Sequence, residues 1–199
     1  VSEIPEDLND VTSIASGVNH IVALKSDGNL IAWGKNIFGQ TEIPSNLNNV
    51  KEIAAGTYHT IALKDDGSVL TWGDNTYGQI DTPDGLTGVK KVNAGFFNTI
   101  AIDNDGKLVI WGSNTFDQLS EPADLVDVTD ASIGDKFIIA LKSNGTTSEW
   151  GEELLPNTSI PKELTEVISI QTSYTHSVAL KEDGSLIAWG NNDDDQINI

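Results

Sequence analysis

Five tryptophans spaced 39 residues apart constrain the fold of this chain more than any other feature. They are Trp33, Trp72, Trp111, Trp150 and Trp189. Each is followed by Gly, and series of Pro, Leu, Val, Ala and further Gly residues recur at the same 39-residue interval without an insertion or deletion. A fixed period of roughly 20 to 50 residues is the signature of tandem structural repeats. The sequence therefore predicts five copies of one unit.

The second unit shows most clearly what each copy contains. Residues 50–56 form a short apolar run, and residues 59–64 alternate in the manner of a half-buried β-strand. Residues 65–68 carry the Asp-Gly pair typical of a tight hairpin, and residues 69–73 are the returning strand. Residues 79–81 are predicted to be a fourth, outer strand. Each unit is therefore expected to be a small antiparallel sheet.

The size of the unit indicates a fold class. Four short antiparallel strands in about 40 residues match one blade of a β-propeller, and propellers contain roughly four to eight blades. The amphipathic pattern of an α-helical solenoid is absent. We predict an all-β fold, a β-propeller of five four-stranded antiparallel blades in a single domain, 1–199. The predicted repeats are 5–43, 44–82, 83–121, 122–160 and 161–199.

The two ends of the chain bear on whether these blades close into a ring. Residues 1–4 and 196–199 occupy the same phase of the repeat, so the chain comprises five periods and a four-residue overlap. An open arc would leave two apolar blade faces in water, which soluble monomers avoid. We therefore expect a closed ring, with an open arc or a fragment of a seven-bladed propeller as alternatives. Because the sequence has no Met, we expect it to be part of a longer precursor.

Composition restricts the possible partners. The chain carries 30 acidic residues against 11 Lys, has no Arg and has a net charge of −19. Nucleic-acid binding depends on cationic side chains, so DNA, RNA and anionic membranes are not expected as partners. No apolar run is long enough to cross a bilayer, and the absence of Cys excludes disulfides and thiolate chemistry. We expect an extracellular or cell-surface location, with the cytoplasm left open.

The pattern of the second unit resembles a known repeat family. Its residues are Val50-x-x-Ile53-Ala54-Ala55-Gly56, His59-Thr60-x-Ala62-Leu63, Asp66-Gly67, Trp72-Gly73-x-Asn75 and Gly78-Gln79. The unit is similar to the regulator of chromosome condensation repeat, and the resemblance covers all five units. The 39-residue length and the Pro-x-x-Leu-x-x-Val lead-in resemble a compact bacterial branch, to which the propeller-type β-lactamase inhibitory protein is similar. The resemblance implies a propeller that binds partners across one face.

For several recurring side chains we favour a structural role over a functional one. The tryptophans are expected to pack between sheets rather than to stack on sugars. His20, His59 and His176 share one phase, and we expect buried histidines bonded to backbone groups rather than a central metal site. The acidic turns at 65–67 and 192–195 lack the full ligand pattern of a calcium loop. We therefore predict no metal and no cofactor.

Loop positions that differ from unit to unit are the best candidates for specific contacts. The aromatic residues that follow the Gly at the end of the first strand are Tyr58, Phe96, Phe97 and Tyr174. A second aromatic series follows the Trp-Gly pair and comprises Phe38, Tyr77 and Phe116. Exposed aromatic residues are enriched in protein interfaces. We predict that all seven residues are candidates for binding a partner and that the first series is the centre of the site. Capping of the blades is the alternative for the second series, and sealing of the surface is the alternative for the first.

The fourth unit departs most from the pattern. Thr147 and Ser148 replace apolar strand residues, Glu149 precedes its Trp, and residues 153–157 replace the usual Asn-x-x-Gly-Gln segment. We expect a degenerate blade, since loops tolerate change. A loop recruited for a specific contact is the alternative.

No combination of residues predicts catalysis. A nucleophile, a base and an orienting group should be peculiar to one place, whereas every candidate here recurs with the repeat. We predict a monomeric, non-enzymatic protein-interaction module that binds through variable loops on one face, as an inhibitor or a surface adhesion module. A multivalent glycan-binding lectin and a structural scaffold without ligand are the alternatives. A lectin predicts near-identical loops, which this chain does not have.

Overall fold

A computed structural model describes residues 4–6, 8–152, 160–161 and 164–199. This part of the chain is all-β: its fifteen strands form five antiparallel sheets of three strands each. The strands are β1 (Val11–Ser16), β2 (His20–Lys25), β3 (Leu30–Gly34), β4 (Val50–Ala55), β5 (His59–Lys64), β6 (Val69–Gly73), β7 (Val89–Ala94), β8 (Asn98–Asp103), β9 (Leu108–Gly112), β10 (Val128–Ile133), β11 (Phe137–Lys142), β12 (Thr147–Gly151), β13 (Val167–Thr172), β14 (His176–Lys181) and β15 (Leu186–Gly190). No membrane-spanning helix is found among the described residues.

Each repeat forms one sheet with the same order of strands. In the second repeat β5 lies between β4 and β6, and Ala62 is opposite Ile53 on one side and Leu70 on the other. The register of β4 shifts by a bulge between Val50 and Glu52. The first strand of each of the four remaining repeats carries a bulge at the equivalent position. The 39-residue period therefore reproduces the register of the sheet as well as its strands.

The sheets have three strands rather than the predicted four. Residues 79–81, expected to be an outer strand, follow a turn in which the Asp81 N–H donates to the Gly78 carbonyl over 3.1 Å. The Ile80 N–H donates to Asn75 Oδ1 over 3.1 Å. Because local acceptors take these N–H groups, the segment cannot pair continuously with β6. One hydrogen bond of 2.9 Å, from Thr71 Oγ1 to the Ile80 carbonyl, still ties it to the sheet.

Contacts divide the chain into two compact units. Unit 1 comprises residues 1–104 and 109–113, and unit 2 comprises residues 105–108 and 114–199. Within each unit the core lies between one sheet and the next, because the apolar face of a middle strand packs on the first strand of the following repeat. Trp72, Trp111 and Trp189 are buried in these clusters, which confirms a core role for them.

The first strand of the chain is less covered than its equivalents. Ile14 of β1 is 68% exposed, whereas Ile53 and Ile170 at the same position are 7% and 1% exposed. Among the described residues, the apolar face of β1 therefore lacks the cover that a preceding repeat provides elsewhere. Closure of five blades into a ring is not confirmed and stays a prediction.

Candidate binding surface

In the first, second, third and fifth repeats, where both loops are described, two loops lie at the same end of the sheet. The inner loop joins the first strand to the second, as residues 56–58 do in the second repeat, and the outer loop follows the third strand, as residues 74–79 do. The Asp74 N–H donates to the Tyr58 carbonyl over 2.9 Å and ties the two loops together. The equivalent donors in the other repeats are Lys35, Ser113, Glu152 and Asn191. The two variable loop series of the sequence are therefore neighbours in space.

Aromatic residues of the two loop series meet across neighbouring repeats of unit 1. The ring of Phe38, in the first outer loop, lies 5.1 Å from that of Tyr58, in the second inner loop. Tyr77 and Phe97 repeat this contact one repeat later, with ring centroids 4.8 Å apart. Phe96 approaches Phe97 edge-on at 6.5 Å. Such tilted geometries suit the quadrupoles of the rings. We name these five residues the aromatic row.

The two loop series differ in exposure within the aromatic row. The outer-loop rings of Phe38 and Tyr77 belong to residues that are 44% and 48% exposed. Tyr58, Phe96 and Phe97 are half-buried. The outer-loop rings thus face solvent and the inner-loop rings support them, whereas the sequence analysis gave priority to the inner loops. The binding role of all five stays a prediction.

Unit 2 presents a different contact at the same register. The Phe116 ring, equivalent to Phe38 and Tyr77, has Lys136 Nζ 4.4 Å from its centroid. Lys136 occupies the position of Tyr58 and its Nζ also pairs with Glu152 Oε2 at 3.2 Å. A cation of the chain itself therefore covers this ring. Tyr174, the remaining predicted contact residue, is 54% exposed.

A buried glutamine holds the outer loop in place in each of the first three repeats. Gln40, Gln79 and Gln118 are no more than 2% exposed. The Oε1 atom of each accepts the N–H of the aromatic residue two positions earlier, at distances of 2.8 to 3.0 Å. A buried amide oxygen needs such a donor, so the bond orients the loop. The sequence analysis named Gln79 as part of the repeat pattern but predicted no role for these glutamines, although their 39-residue spacing was the available signal.

The histidines of unit 1 belong to a buried relay between repeats. His20 Nε2 lies 3.0 Å from Thr60 Oγ1, and the Thr60 hydroxyl donates its proton to the Gln40 carbonyl over 2.8 Å. Because that hydroxyl proton is used, His20 must donate from Nε2 and carry its own proton there. The partner is a threonine of the next repeat, which the sequence analysis did not consider. The Trp72 Nε1–H donates to the same carbonyl over 3.0 Å.

The relay recurs one repeat later and explains the acidity of its histidine. His59 Nε2 lies 3.1 Å from Thr99 Oγ1, which donates to the Gln79 carbonyl over 2.7 Å. Burial, and secondarily the neighbouring His20, lowers the pKa of His59 to about 4. A second proton would have to sit on Nδ1, a buried atom with no hydrogen-bond partner among the described residues. The relay therefore holds a neutral imidazole.

The carboxylates of the acidic turns accept hydrogen bonds from groups of their own turns. Asp66 Oδ1 accepts the Ser68 N–H over 2.9 Å, and hydrogen bonds from Ser68 lower the pKa of Asp66. Asp193 Oδ2 accepts Asn191 Nδ2–H over 2.7 Å. In the part of the chain that the structure describes, no group of three His or acidic side chains is close enough to hold a metal ion.

The fourth repeat contains a cavity of about 520 Å³ beside β12. Its two carboxylates already have partners: Glu149 Oε2 accepts the Ile160 N–H over 3.0 Å, and Glu152 pairs with Lys136. The altered segment 153–157, for which a recruited loop was the alternative prediction, lies outside the described residues. The geometry of the aromatic row thus remains the better candidate for recognition.

The repeats match a family model over more than half of the chain. The model is the regulator of chromosome condensation (RCC1) repeat, and it matches residues 11–40, 50–79, 89–118 and 167–196. The resemblance that was expected over all five units is therefore confirmed for four of them, and the divergent fourth repeat falls outside the matched segments. No curated protein sequence matches the chain.

Solved structures share the fold at low sequence identity. Prp20p from Saccharomyces cerevisiae is 23% identical with a TM-score of 0.75, over 90% of this chain and 58% of that protein. Human WBSCR16 is 22% identical with a TM-score of 0.73, over 92% and 62%. The ectodomain of the Physcomitrella patens receptor kinase CR4 is 22% identical with a TM-score of 0.72, over 91% and 50%. The chain thus spans less than two thirds of each, and these likenesses show the β-propeller fold.

Proposed function

The chain belongs to the RCC1 repeat family, and we propose that it is a non-enzymatic module that binds a protein partner through the loops at one face of its propeller. The single observation that carries this proposal is the aromatic row of unit 1. Its outer-loop rings pack against inner-loop rings, and buried glutamines bond to the backbone N–H groups of the outer-loop aromatic residues. Aromatic residues on a rigid base give large contact areas with little loss of side-chain entropy.

The similar proteins support a partner of this class. Yeast Prp20p has been examined for its binding to Gsp1p and histones, and yeast RCC1 (Prp20) has been solved bound to Kap60. Protein binding by a propeller of such repeats is the property that this chain is proposed to share. The particular partners of the yeast protein are not transferred.

The proposal has a more specific form. A monomeric chain acts at the cell surface or outside the cell, as an inhibitor of a secreted enzyme or as an adhesion module, and its five repeats close into a ring. Its support is compositional: a net charge of −19 without Arg, together with the compact 39-residue repeat. The cytoplasm is the alternative compartment.

The test compares capture of proteins by the wild-type chain and by a Phe96→Ala, Phe97→Ala double variant. Proteins retained by the immobilised wild type are identified, purified and titrated by calorimetry. We expect the double variant to bind the purified partner at least about tenfold more weakly, because Phe97 supports the exposed ring of Tyr77 and each aromatic of such an interface contributes on the order of 1 to 2 kcal/mol.

A matched control removes two exposed apolar side chains outside the aromatic row, Val126→Ala with Leu186→Ala. It is expected to leave binding unchanged. Equal binding by the double variant and the wild type would contradict the role of the aromatic row. Binding on a glycan array without a protein partner would instead favour the lectin, and no ligand in either assay would favour a structural scaffold.

A further inference from the structure

We propose that Tyr77 and Phe38 are subsites for Lys or Arg side chains of a basic protein segment. This inference rests on the proposed function and names the chemistry of its partner. Three observations carry it: a cation of the chain itself at the same register in unit 2, a carboxylate in the same loop as each exposed ring, and the charge of the whole chain.

The contact in unit 2 shows which chemistry the outer-loop ring accepts. Lys136 Nζ lies 4.4 Å from the centre of the Phe116 ring and 3.2 Å from Glu152 Oε2. An ammonium group over a ring face is attracted by the ring quadrupole, and a nearby carboxylate adds to the attraction. In unit 1 the position of Lys136 is taken by Tyr58 and Phe97, so the chain supplies no cation from this position to the rings of Phe38 and Tyr77.

The Tyr77 subsite includes the carboxylate of Asp81, and one oxygen of that carboxylate is available to a cation. Asn75 Nδ2 donates to Asp81 Oδ1 over 2.7 Å and fixes the side chain. Asp81 Oδ2 lies beside Gly78, where an added Cβ would be 3.4 Å from it. Among the described residues, no Lys forms an ion pair with Asp81. An exposed ring and an unneutralised oxygen therefore belong to the same short loop.

The Phe38 subsite repeats this arrangement in a weaker form. Asn36 Nδ2 donates to Glu42 Oε1 over 3.0 Å, and Glu42 Oε2 lies 3.7 Å from the place of a Cβ on Gly39. Lys35, however, is exposed in the same loop and opposes an incoming cation, whereas its equivalent in the next repeat is the buried Asp74. Tyr77 should consequently contribute more than Phe38.

The overall charge favours a basic partner over an acidic or neutral one. A net charge of −19 attracts cationic segments over long distances and repels anionic ones. The rings then convert that attraction into a local contact. This division of roles makes the proposal testable, because loss of a ring and loss of a distant charge should have different effects.

The experiment measures binding of short fluorescein-labelled peptides by anisotropy at low salt. The peptides have equal length and a Ser-Gly background, with Lys, Arg, Gln or Glu at every third position. We expect the Lys and Arg peptides to bind and the Gln and Glu peptides not to bind. Tyr77→Leu, which keeps apolar bulk but removes the π face, should weaken binding of the Lys peptide about threefold to fivefold. Phe38→Leu should have a smaller effect, of about twofold.

Matched variants separate the subsite from general electrostatics. Phe116→Leu should leave affinity unchanged, because the chain's own Lys136 already covers that ring, and Lys136→Ala should raise affinity by uncovering it. Asp81→Asn should weaken binding more than Asp124→Asn, which removes the same charge at an exposed position elsewhere. Circular dichroism spectra check that each variant is folded.

Two outcomes would overturn the inference: equal effects of Asp81→Asn and Asp124→Asn with none from Tyr77→Leu, or binding of the Glu peptide as tight as that of the Lys peptide. The first would mean that net charge alone attracts the peptide. Should the Phe96, Phe97 double variant still lose its purified protein partner in that case, the proposed function stands and only the cationic subsite fails.

Discussion

In the second repeat, β5 begins with His59 and Thr60, whereas β11 of the fourth repeat begins with Phe137 and Ile138. All four side chains are buried, and the registers agree: His59 is opposite Gly73, and Phe137 is opposite Gly151. The ring of each first residue packs against the glycine that ends the preceding strand. One backbone therefore accommodates a polar pair in one repeat and an apolar pair in another.

This difference separates two kinds of interaction: burial at these positions, which the two repeats share, and specific hydrogen bonds, which join particular repeats. The polar pair belongs to a relay with fixed donors and acceptors, so it specifies how one repeat meets the next. The apolar pair contributes burial without that directional requirement. The three predictions that follow test this division, in order of decreasing effect on stability.

The largest effect is expected where the two repeats are alike, at the glycine of the hairpin between the second and third strands. Gly67 and Gly145 have φ of 79° and 75°, and an added Cβ would lie 3.2 Å and 3.1 Å from the Cα atoms of Gly88 and Glu166. Gly67→Val and Gly145→Val should each reduce the free energy of unfolding by about 3 kcal/mol or more. Urea denaturation followed by tryptophan fluorescence measures the loss.

Gly184→Val is the control for that prediction. Gly184 has φ of 83° but nothing within 4 Å of an added Cβ, so only the backbone strain remains. A loss as large as that of Gly67→Val would show that the contact with the next repeat adds nothing.

The next effect concerns acid, where the two repeats should differ. Between about pH 4 and 6.5 the unfolded chain binds a proton on His59 and the folded chain does not. The free energy of unfolding therefore falls as the pH falls through this window, by up to about 3 kcal/mol from this residue. His59→Phe, which copies Phe137, should remove that part of the dependence.

The measurement compares thermal midpoints of the wild type and His59→Phe at pH 7.5 and at pH 4.5 (two assay values chosen about the ordinary histidine pKa). We expect acidification to lower the thermal midpoint of the variant less than that of the wild type. Carboxylates lose their native interactions in acid in both proteins, so the difference between the proteins is the informative quantity. A constant difference at the two pH values would contradict the neutral, buried state of His59.

The smallest effect comes from removing one hydroxyl of the relay. Thr99→Val leaves His59 Nε2–H without its acceptor and should cost about 1 to 3 kcal/mol. Ile138→Val, at the equivalent apolar position, should cost about 0.5 to 1.5 kcal/mol. Combining His59→Phe with Thr99→Val removes donor and acceptor together. The double variant should therefore lose less free energy of unfolding than the two single variants lose in sum. Strict additivity in urea denaturation would refute the relay.

Much of the sheet could be predicted from residues that act locally. The alternation of His59, Ile61 and Leu63 and the Asp-Gly pair at Asp66 and Gly67 predict β5 and its hairpin, and both are present. The fourth strand predicted at residues 79–81 is absent from the described part of the chain, because Asn75 and other local acceptors take the N–H groups of that segment. The role of the glutamines was also not predicted, because residues that recur with the repeat were interpreted as structural.

The candidate site was predicted only in part. The seven aromatic residues were recognised from their variation and their place beside Gly or Trp-Gly. Their pairing was not, because Phe38 and Tyr58 are 20 residues apart and belong to different repeats. Nor does the sequence order show that Lys136 covers one ring while Tyr77 stays exposed.

By itself the sequence determined the repeat, the position of three strands in each unit, and the burial of the core tryptophans. These follow from side-chain alternation, turn glycines and apolar spacing, which act within a few residues. The tertiary structure alone decided that the outer segment is a turn, that His20 bonds to Thr60, and that outer-loop rings rest on the next repeat. Such contacts depend on how one sheet stacks on the next, and that stacking is set by the summed burial of many side chains and by no single motif.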